Sequence, residues 1–599
     1  MAVAEKGAAG RAKEYPPLAF AMLAMLLLLA LMPSALNLPQ TTPSETLEYA
    51  PVPPEDDQVN PPTGNFNSLG LGSSDSFGGD EPGGAELDPL SGETAGGVGK
   101  SPSTKRCVGN PPRQTEDPLS PPCVAVFNGD NGGATYQGVT PDEVRVLFYL
   151  EGCGSQGGTS EGDDSVPCGE YFDLADPPPA DDHVWMRMLR PYQRFFNERY
   201  QTYGRFIHFF AYYDNYPDTA ETRRADAAAT YAKIKPFAVY NQGSFGFTEE
   251  YTDVMLSKGV LVFTGAFGRV DCCESERVFQ RDPGLRWGAA PSTEQYAALF
   301  SDLICKQVVG RPVSYGGNNN TGQPRVLGMI NNDRPGHRPH GELARLVRRH
   351  VEACGGQFLY EAHSSPEAAC SPDSAATEMA EMQRRGVTTI IWPIGSNSSG
   401  DDGCGHYFQS GGVSLRYLPE VVVAGNGSSD DVLSGQLSHQ EFSRNQLFMS
   451  AHTRGDDPGK TPCIYTAREA EPDVPARDLE NFGCAMYAGI RLMFTGIQVA
   501  GPKLTPQSMD KGYHAIPDRR STDPFVPACY FDVGDYTCIK DAQLEHWDAS
   551  GQTPGTAGGG CLRMVEGGQR YVVGSWPERD IAALVKPDDP CNRQGYSTS

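Results

Sequence analysis

Three short stretches place polar groups directly after apolar runs of strand length, where they are free to hold a small solute. Asn241-Gln242-Gly243-Ser244 closes one such run and precedes a helix expected to begin near Thr248. Exposed backbone N–H groups and a hydroxyl at a helix N-terminus suit a carboxylate. The same Ser244 hydroxyl is also suited to capping the helix, and both roles stay open. Asn332-Asp333 follows the run Arg325–Asn331, and Gly425-Asn426-Gly427 follows Glu420–Ala424. Asp333 is placed to neutralise an ammonium group, with Asn426 beside it on the same edge. The plainer role for either residue is to cap the next helix or line a loop. Pro393-Ile394-Gly395 belongs to this edge as well.

The rest of the chemistry is defined by what is missing. The sequence has no P-loop and no His-Glu-x-x-His metal motif. Its Gly-rich stretch "GLGSSDSFGG" follows no strand, so no cofactor is expected. "CGH" at Cys404–His406 and "CC" at Cys272-Cys273 lack the spacing of a zinc site, and no metal is expected. A formal charge of -26 with 75 acidic residues gives no footprint for nucleic acid, and none is expected as a partner. So many carboxylates always offer accidental pairs, which leaves an exported hydrolase as a reading without a nucleophile to support it.

These stretches need elements to position them, and the chain supplies them in blocks. Lys6, Arg11 and Lys13 precede an uncharged segment whose centre, Leu18–Met32, is almost wholly Leu, Ala and Met. Positive charge ahead of an apolar run keeps the N-terminus inside and directs the remainder of the chain outward. As a helix, Leu18–Met32 rises about 22 Å and Leu18–Leu38 about 31 Å, so 1–38 reads as an uncleaved signal anchor or a cleaved signal peptide. Residues 39–106 are an acidic Pro/Gly/Ser-rich linker, expected to be disordered. Residues 107–139 form a disulfide-stapled lead-in. Beyond Thr140, strand-length runs such as "EVRVLFYL" alternate with helical stretches such as "TAETRRADAAATYAKIK" and "HGELARLVRRHVEACG". Repeated β-α-β units with strands apolar on both faces indicate an α/β protein with parallel sheets.

The segments "GVTPDEVRV", "YAKIKPFAVYNQGSFGFTEEYTDVMLSKGVLVFTGAF", "GMINNDRPGHRPHGELARLVRRHVEACGGQFLYEAH" and "AGIRLMFTGIQVAGPKLTPQSMDKGYHAIP" carry a more specific likeness. In order and spacing they resemble the type I periplasmic binding protein fold, and most of all the leucine/isoleucine/valine-binding family of ABC transporters, from Gly138 to the end of the chain. The resemblance implies two Rossmann-like lobes joined by a three-segment hinge. Lobe 1 would comprise 140–290 and 448–527, and lobe 2 would comprise 291–447 and 528–599. It implies ligand contacts from Gln242, Gly243 and Ser244, a second hydroxyl from Thr264, and a wall from Gly265 and Ala266. It also implies a non-enzymatic, extracellular protein that captures a small amino-acid-like ligand for an ABC permease or for sensing, held to the membrane only by its N-terminal segment. The alternative is a cell-surface interaction protein that keeps the fold without a small ligand. The chain departs from the family at Glu151–His183, a long acidic insertion placed to cover the cleft mouth. It also carries large residues around the ligand region, Tyr240, Phe245, Phe247, Phe263 and Phe267, which line a pocket or fill the core.

Sixteen cysteines in an exported chain point to disulfides. Proximity in sequence suggests Cys107–Cys123, Cys153–Cys168, Cys354–Cys370, Cys463–Cys484, Cys529–Cys538 and Cys561–Cys591. Adjacent Cα atoms lie about 3.8 Å apart, below the usual disulfide minimum of about 4.4 Å. Cys272 and Cys273 are therefore expected to pair outward, with Cys305 and Cys404 as partners.

Overall fold

The computed structural model describes residues 107–108, 112–150, 168–179, 182–215, 219–241, 249–264, 274–317, 320–331, 338–363, 371–394, 404–425, 432–451, 461–475, 484–517, 526–552 and 559–591. The expected signal segment and linker, 1–106, lie outside them. Among the described residues no helix is long and apolar enough to cross a membrane.

Two sheets organise the chain. The first holds β1 (Glu143–Leu150), β2 (Tyr171–Asp173), β3 (Phe206–Tyr213), β4 (Ala238–Asn241), β5 (Leu261–Thr264) and β6 (Arg286–Gly288), in the order β2-β3-β1-β4-β5-β6. All its pairs are parallel except β2 with β3. The second holds β7 (Leu327–Asn331), β8 (Phe358–His363), β9 (Thr389–Trp392), β10 (Glu420–Ala424) and β11 (Gln446–Ser450), ordered β8-β7-β9-β10-β11 and parallel throughout. Antiparallel β12 (Asp541–Asp548), β13 (Cys561–Met564) and β14 (Arg570–Val572) extend it past β11. With the antiparallel strands set aside, both sheets read 2-1-3-4-5. Every residue of β4, β5, β7, β10 and β11 is buried, as expected where helices cover both faces.

Local chemistry sets the helix ends. Thr219 caps Ala220–Ile234, and Lys235 stops it in the left-handed region at φ 49°. Ser292 with Gln295 forms a capping box on Thr293–Gln307, and Ser371 with Ser374 does the same for Pro372–Arg385. One face of the first sheet packs Phe148, Phe209, Tyr240, Phe263 and Trp287 against the helices Val184–Arg199 and Cys484–Ala500. Tyr240 and Phe263 are therefore core residues. Phe245, Phe247 and Phe267 lie outside the described residues. The other face packs Tyr149, Val239 and Val262 against Tyr251 and Met255 of the helix Glu249–Ser257. The lead-in is bridged by Cys107–Cys123, and its buried Asp117 accepts from Tyr487 and Arg491, both at 2.8 Å.

The chain passes between the sheets three times. It leaves β6 for the helix Thr293–Gln307, leaves β11 for helices that pack on lobe 1, and returns from Cys538 into β12. The boundary expected at 447/448 falls inside β11, so Phe448–Ser450 stay with lobe 2. The stretch expected to open the last lobe 2 segment packs partly on lobe 1, where Phe531 and Tyr536 meet Trp287. Within Glu151–His183, residues 151–167 lie outside the described residues. Tyr171–Asp173 runs as an edge strand beside β3.

The disulfides correct two expected pairings. Cys354 bridges Cys305, with Cα atoms 5.9 Å apart, so Cys354 does not pair with Cys370 and Cys305 does not pair with a vicinal cysteine. The reason is topological. The helices Thr293–Gln307 and Arg338–Ala353 lie side by side, whereas β8 carries the chain about 20 Å along the sheet between Cys354 and Cys370. Cys529–Cys538 and Cys561–Cys591 form as expected. Cys168 and Cys463 are also disulfide-bonded. Their expected partner Cys153 lies outside the described residues, and so does the side chain of Cys484.

Candidate ligand-binding edge

In an open parallel sheet, ligands bind beyond the carboxyl ends of the strands, at the point where strand order reverses. That point lies between β1 and β4 in lobe 1 and between β7 and β9 in lobe 2. The first crossing leaves lobe 1 from the carboxyl end of β6, and the second leaves lobe 2 from the carboxyl end of β11. The carboxyl edge of each sheet is thus the edge from which the chain passes to the other lobe.

Most of the expected contacts leave these strand ends directly. Gln242, Gly243 and Ser244 follow β4, Gly265 and Ala266 follow β5, Asp333 lies just past β7, and Asn426 lies just past β10. All seven lie outside the described residues. Thr264 is described: it ends β5, is buried, and its Oγ1 donates to Glu274 Oε2 at 3.1 Å. The same carboxylate oxygen lies 3.1 Å from Nη1 of Arg286, which is only 1% exposed. Burial pushes the Glu274 carboxyl above its ordinary range. Arg286 and Thr264 oppose that shift, and Glu249 at the start of the neighbouring helix adds to it. Neighbouring Asn241, at the end of β4, donates to Thr252 at 2.7 Å and ties the strand to the helix Glu249–Ser257.

The first and third crossings are laced together beside this group. Gly288 N donates to Tyr536 O at 2.9 Å, and Cys538 N donates to Gly288 O at 3.0 Å. Ser292 Oγ donates to Glu276 at 3.1 Å, Thr537 Oγ1 donates to Gln295 at 2.8 Å, and Lys540 pairs with Asp535 at 2.5 Å. Burial and the nearby Glu294 raise the Glu276 carboxyl, while burial lowers the Lys540 ammonium against the pull of Asp535. On lobe 2, Asn331 Nδ2 donates to Glu361 at 2.8 Å, and Glu361 also pairs with Arg348. Tyr296 donates to the Gly425 carbonyl, fixing the end of β10 just ahead of Asn426.

The architecture is decided by the repeated strand order and the three crossings. The fold is that of the type I periplasmic binding proteins. No family model matches the sequence, and no curated protein matches it. Solved structures similar in outline include an ABC transporter solute-binding protein from R. palustris in complex with 4-hydroxybenzoate, at 12% identity and TM-score 0.48, covering 73% of this chain and 98% of that one. Another is an ABC transporter substrate-binding protein from Desulfitobacterium hafniense in complex with Leu, at 12% identity and TM-score 0.42, covering 72% and 100%. A third is an ABC transporter substrate-binding protein from Aeropyrum pernix, at 10% identity and TM-score 0.44, covering 76% and 98%.

Glu274 and Arg286 were not singled out by the sequence. "RWG" is three residues long and reads as loop after "RDPGL", so nothing marks Arg286 as the start of a strand.

Proposed function

We propose that this chain is an exported solute-binding protein whose lobes close about the three-segment hinge on a small, amino-acid-like ligand, without catalysis. Delivery to an ABC-type permease or sensing follows from capture, with the N-terminal segment holding the protein at the cell surface. The observation that carries the proposal is the duplicated 2-1-3-4-5 sheet, with the first two crossings leaving from carboxyl edges. Two switch points on the hinge side of two lobes are what capture between lobes requires. Ser244 and Thr264 are proposed to hold the ligand carboxylate, lined by Gln242, Gly243, Gly265 and Ala266, and Asp333 and Asn426 are proposed to hold its opposite end.

A second reading, a surface interaction protein with a filled cleft, is favoured by one observation: Thr264 already donates to a carboxylate of the chain itself. A thermal-shift screen of the purified, oxidised protein against amino acids and related metabolites separates the two. A ligand at 100 times its Kd adds about 2.7 kcal/mol, worth a few degrees. A dose-dependent shift that disappears in the Ser244→Ala, Thr264→Ala double variant supports capture. A flat response from folded protein across a broad library supports the second reading.

A further inference from the structure

Arg286 and Arg325 are both buried arginines in strand-rich cores, and they are treated very differently. Arg325, in lobe 2, donates to Glu420 through Nε at 2.7 Å and Nη2 at 2.8 Å, to Ser314 Oγ at 2.7 Å, to two main-chain carbonyls and to Asp580. Its guanidinium is saturated. Arg286, in lobe 1, has no hydrogen-bond partner on Nε, Nη1 or Nη2 among the described residues. Its charged neighbour among the described residues, Glu274, meets it through a single 3.1 Å contact with Nη1, which leaves the fork unfilled. Leaving charged donors unmet in a core is costly, and a guanidinium kept only for structure would be expected to look like that of Arg325.

The position of Arg286 gives the unmet donors a use. The register pairs Val262 with both Val239 and Arg286, so by strand alternation Asn241, Thr264 and Arg286 face the same side of the sheet. That side is packed by the helix Glu249–Ser257. Arg286 sits two residues before Gly288, where the first crossing begins. A buried fork and a threonine hydroxyl thus come together near the carboxyl edge of the sheet, beside the hinge and two strands from the switch point.

We infer that Arg286 is the anion anchor of the cleft, and that a ligand carboxylate takes the place beside it that Glu274 now holds. The inference rests on the solute-binding reading and narrows its ligands to molecules with a free carboxylate. A planar carboxylate meets the guanidinium fork through two oxygens, which Glu274 does not do here. The Thr264 hydroxyl, freed from Glu274, donates to the incoming oxygen. The exchange puts one carboxylate in for another, so Arg286 keeps a countercharge throughout. Glu274, whose side chain is already 23% exposed, moves out to water.

The test uses the intact exported chain and two acid/amide pairs as probes: benzoate with benzamide, and L-leucine with L-leucinamide. Binding is read by calorimetry and thermal shift. The wild type is expected to bind at least one acid and to reject its amide. Glu274→Gln is expected to melt lower without ligand, because Arg286 loses its countercharge. It should nevertheless bind the acid about tenfold tighter, with a larger thermal shift, because the internal competitor is gone. Arg286→Lys, which keeps the charge but loses the fork, is expected to bind about tenfold more weakly. If Arg286→Lys fails to fold, Glu274→Gln decides alone. Equal binding of acid and amide, or weakened binding in Glu274→Gln, overturns the inference and leaves solute capture standing. A wild type that binds nothing across a broad library removes both.

Discussion

Replacing Glu420 with Ala should be among the most damaging single substitutions in lobe 2. Glu420 opens β10 and is fully buried, and its partner Arg325 precedes β7 at 2% side-chain exposure. Oε2 accepts from Arg325 Nε and from Thr389 Oγ1 at 3.0 Å, while Oε1 accepts from Arg325 Nη2 and from the Tyr315 N–H at 2.9 Å. Alanine strands the guanidinium with only Asp580, at 3.3 Å, as countercharge. Removing one partner of a buried pair costs about 3–5 kcal/mol. At roughly 2–4 °C per kcal/mol for a domain of this size, the lobe 2 transition should fall by about 6–20 °C. Calorimetry on Glu420→Ala, Arg325→Met and the double variant checks the cause. The double variant should be more stable than Glu420→Ala alone, because it no longer buries an unpaired charge. This pair lies at the amino ends of the strands, opposite the ligand edge, so ligand affinity well below the transition should not change. A loss under about 1 kcal/mol, or strictly additive effects, would refute the reasoning.

Three further outcomes rest on specific contacts. Gly489→Ala should destabilise lobe 1 by about 1–3 kcal/mol, since a Cβ there would meet the Tyr240 ring at 2.2 Å; denaturant melts read this directly. Peptide mapping without reduction should find Cys305 joined to Cys354, and a Cys354–Cys370 peptide would contradict the helix packing. Burial pushes the His546 imidazole down to about 4, below an unfolded value of about 6.5. The unfolded chain therefore takes up the proton first, and stability should fall by up to about 3 kcal/mol as pH drops from about 6.5 to about 4. His546→Gln should flatten that slope, and an unchanged slope would mean that other groups set it.

The sequence was most informative where one residue type has one physical use. Thr219 and Lys235 bracket a helix because a side-chain cap and a left-handed stop are local chemistry. The runs at β1, β4, β5, β7 and β10 stood out because strands buried on both faces tolerate little but apolar residues. Longer-range facts were not readable. The Cys305–Cys354 bridge depends on two helices meeting across a separation of 49 residues. Phe448–Ser450 went to the wrong lobe because an apolar strand does not announce its sheet. Arg286 was invisible for a related reason: its importance lies in being buried beside Glu274 and Thr264, and a three-residue strand gives no periodicity from which burial can be read. The turn after β4 was recognised from its position, and its contacts rest on residues 242–248, outside those described.

Lobe closure on a solute is the central claim, and small-angle X-ray scattering with and without ligand tests it most directly. The intact protein, titrated with whichever acid gives the largest thermal shift, is expected to show a smaller radius of gyration at saturation. Thr264→Ala should require more ligand to reach the same compaction. An unchanged radius at full occupancy would contradict capture between the lobes.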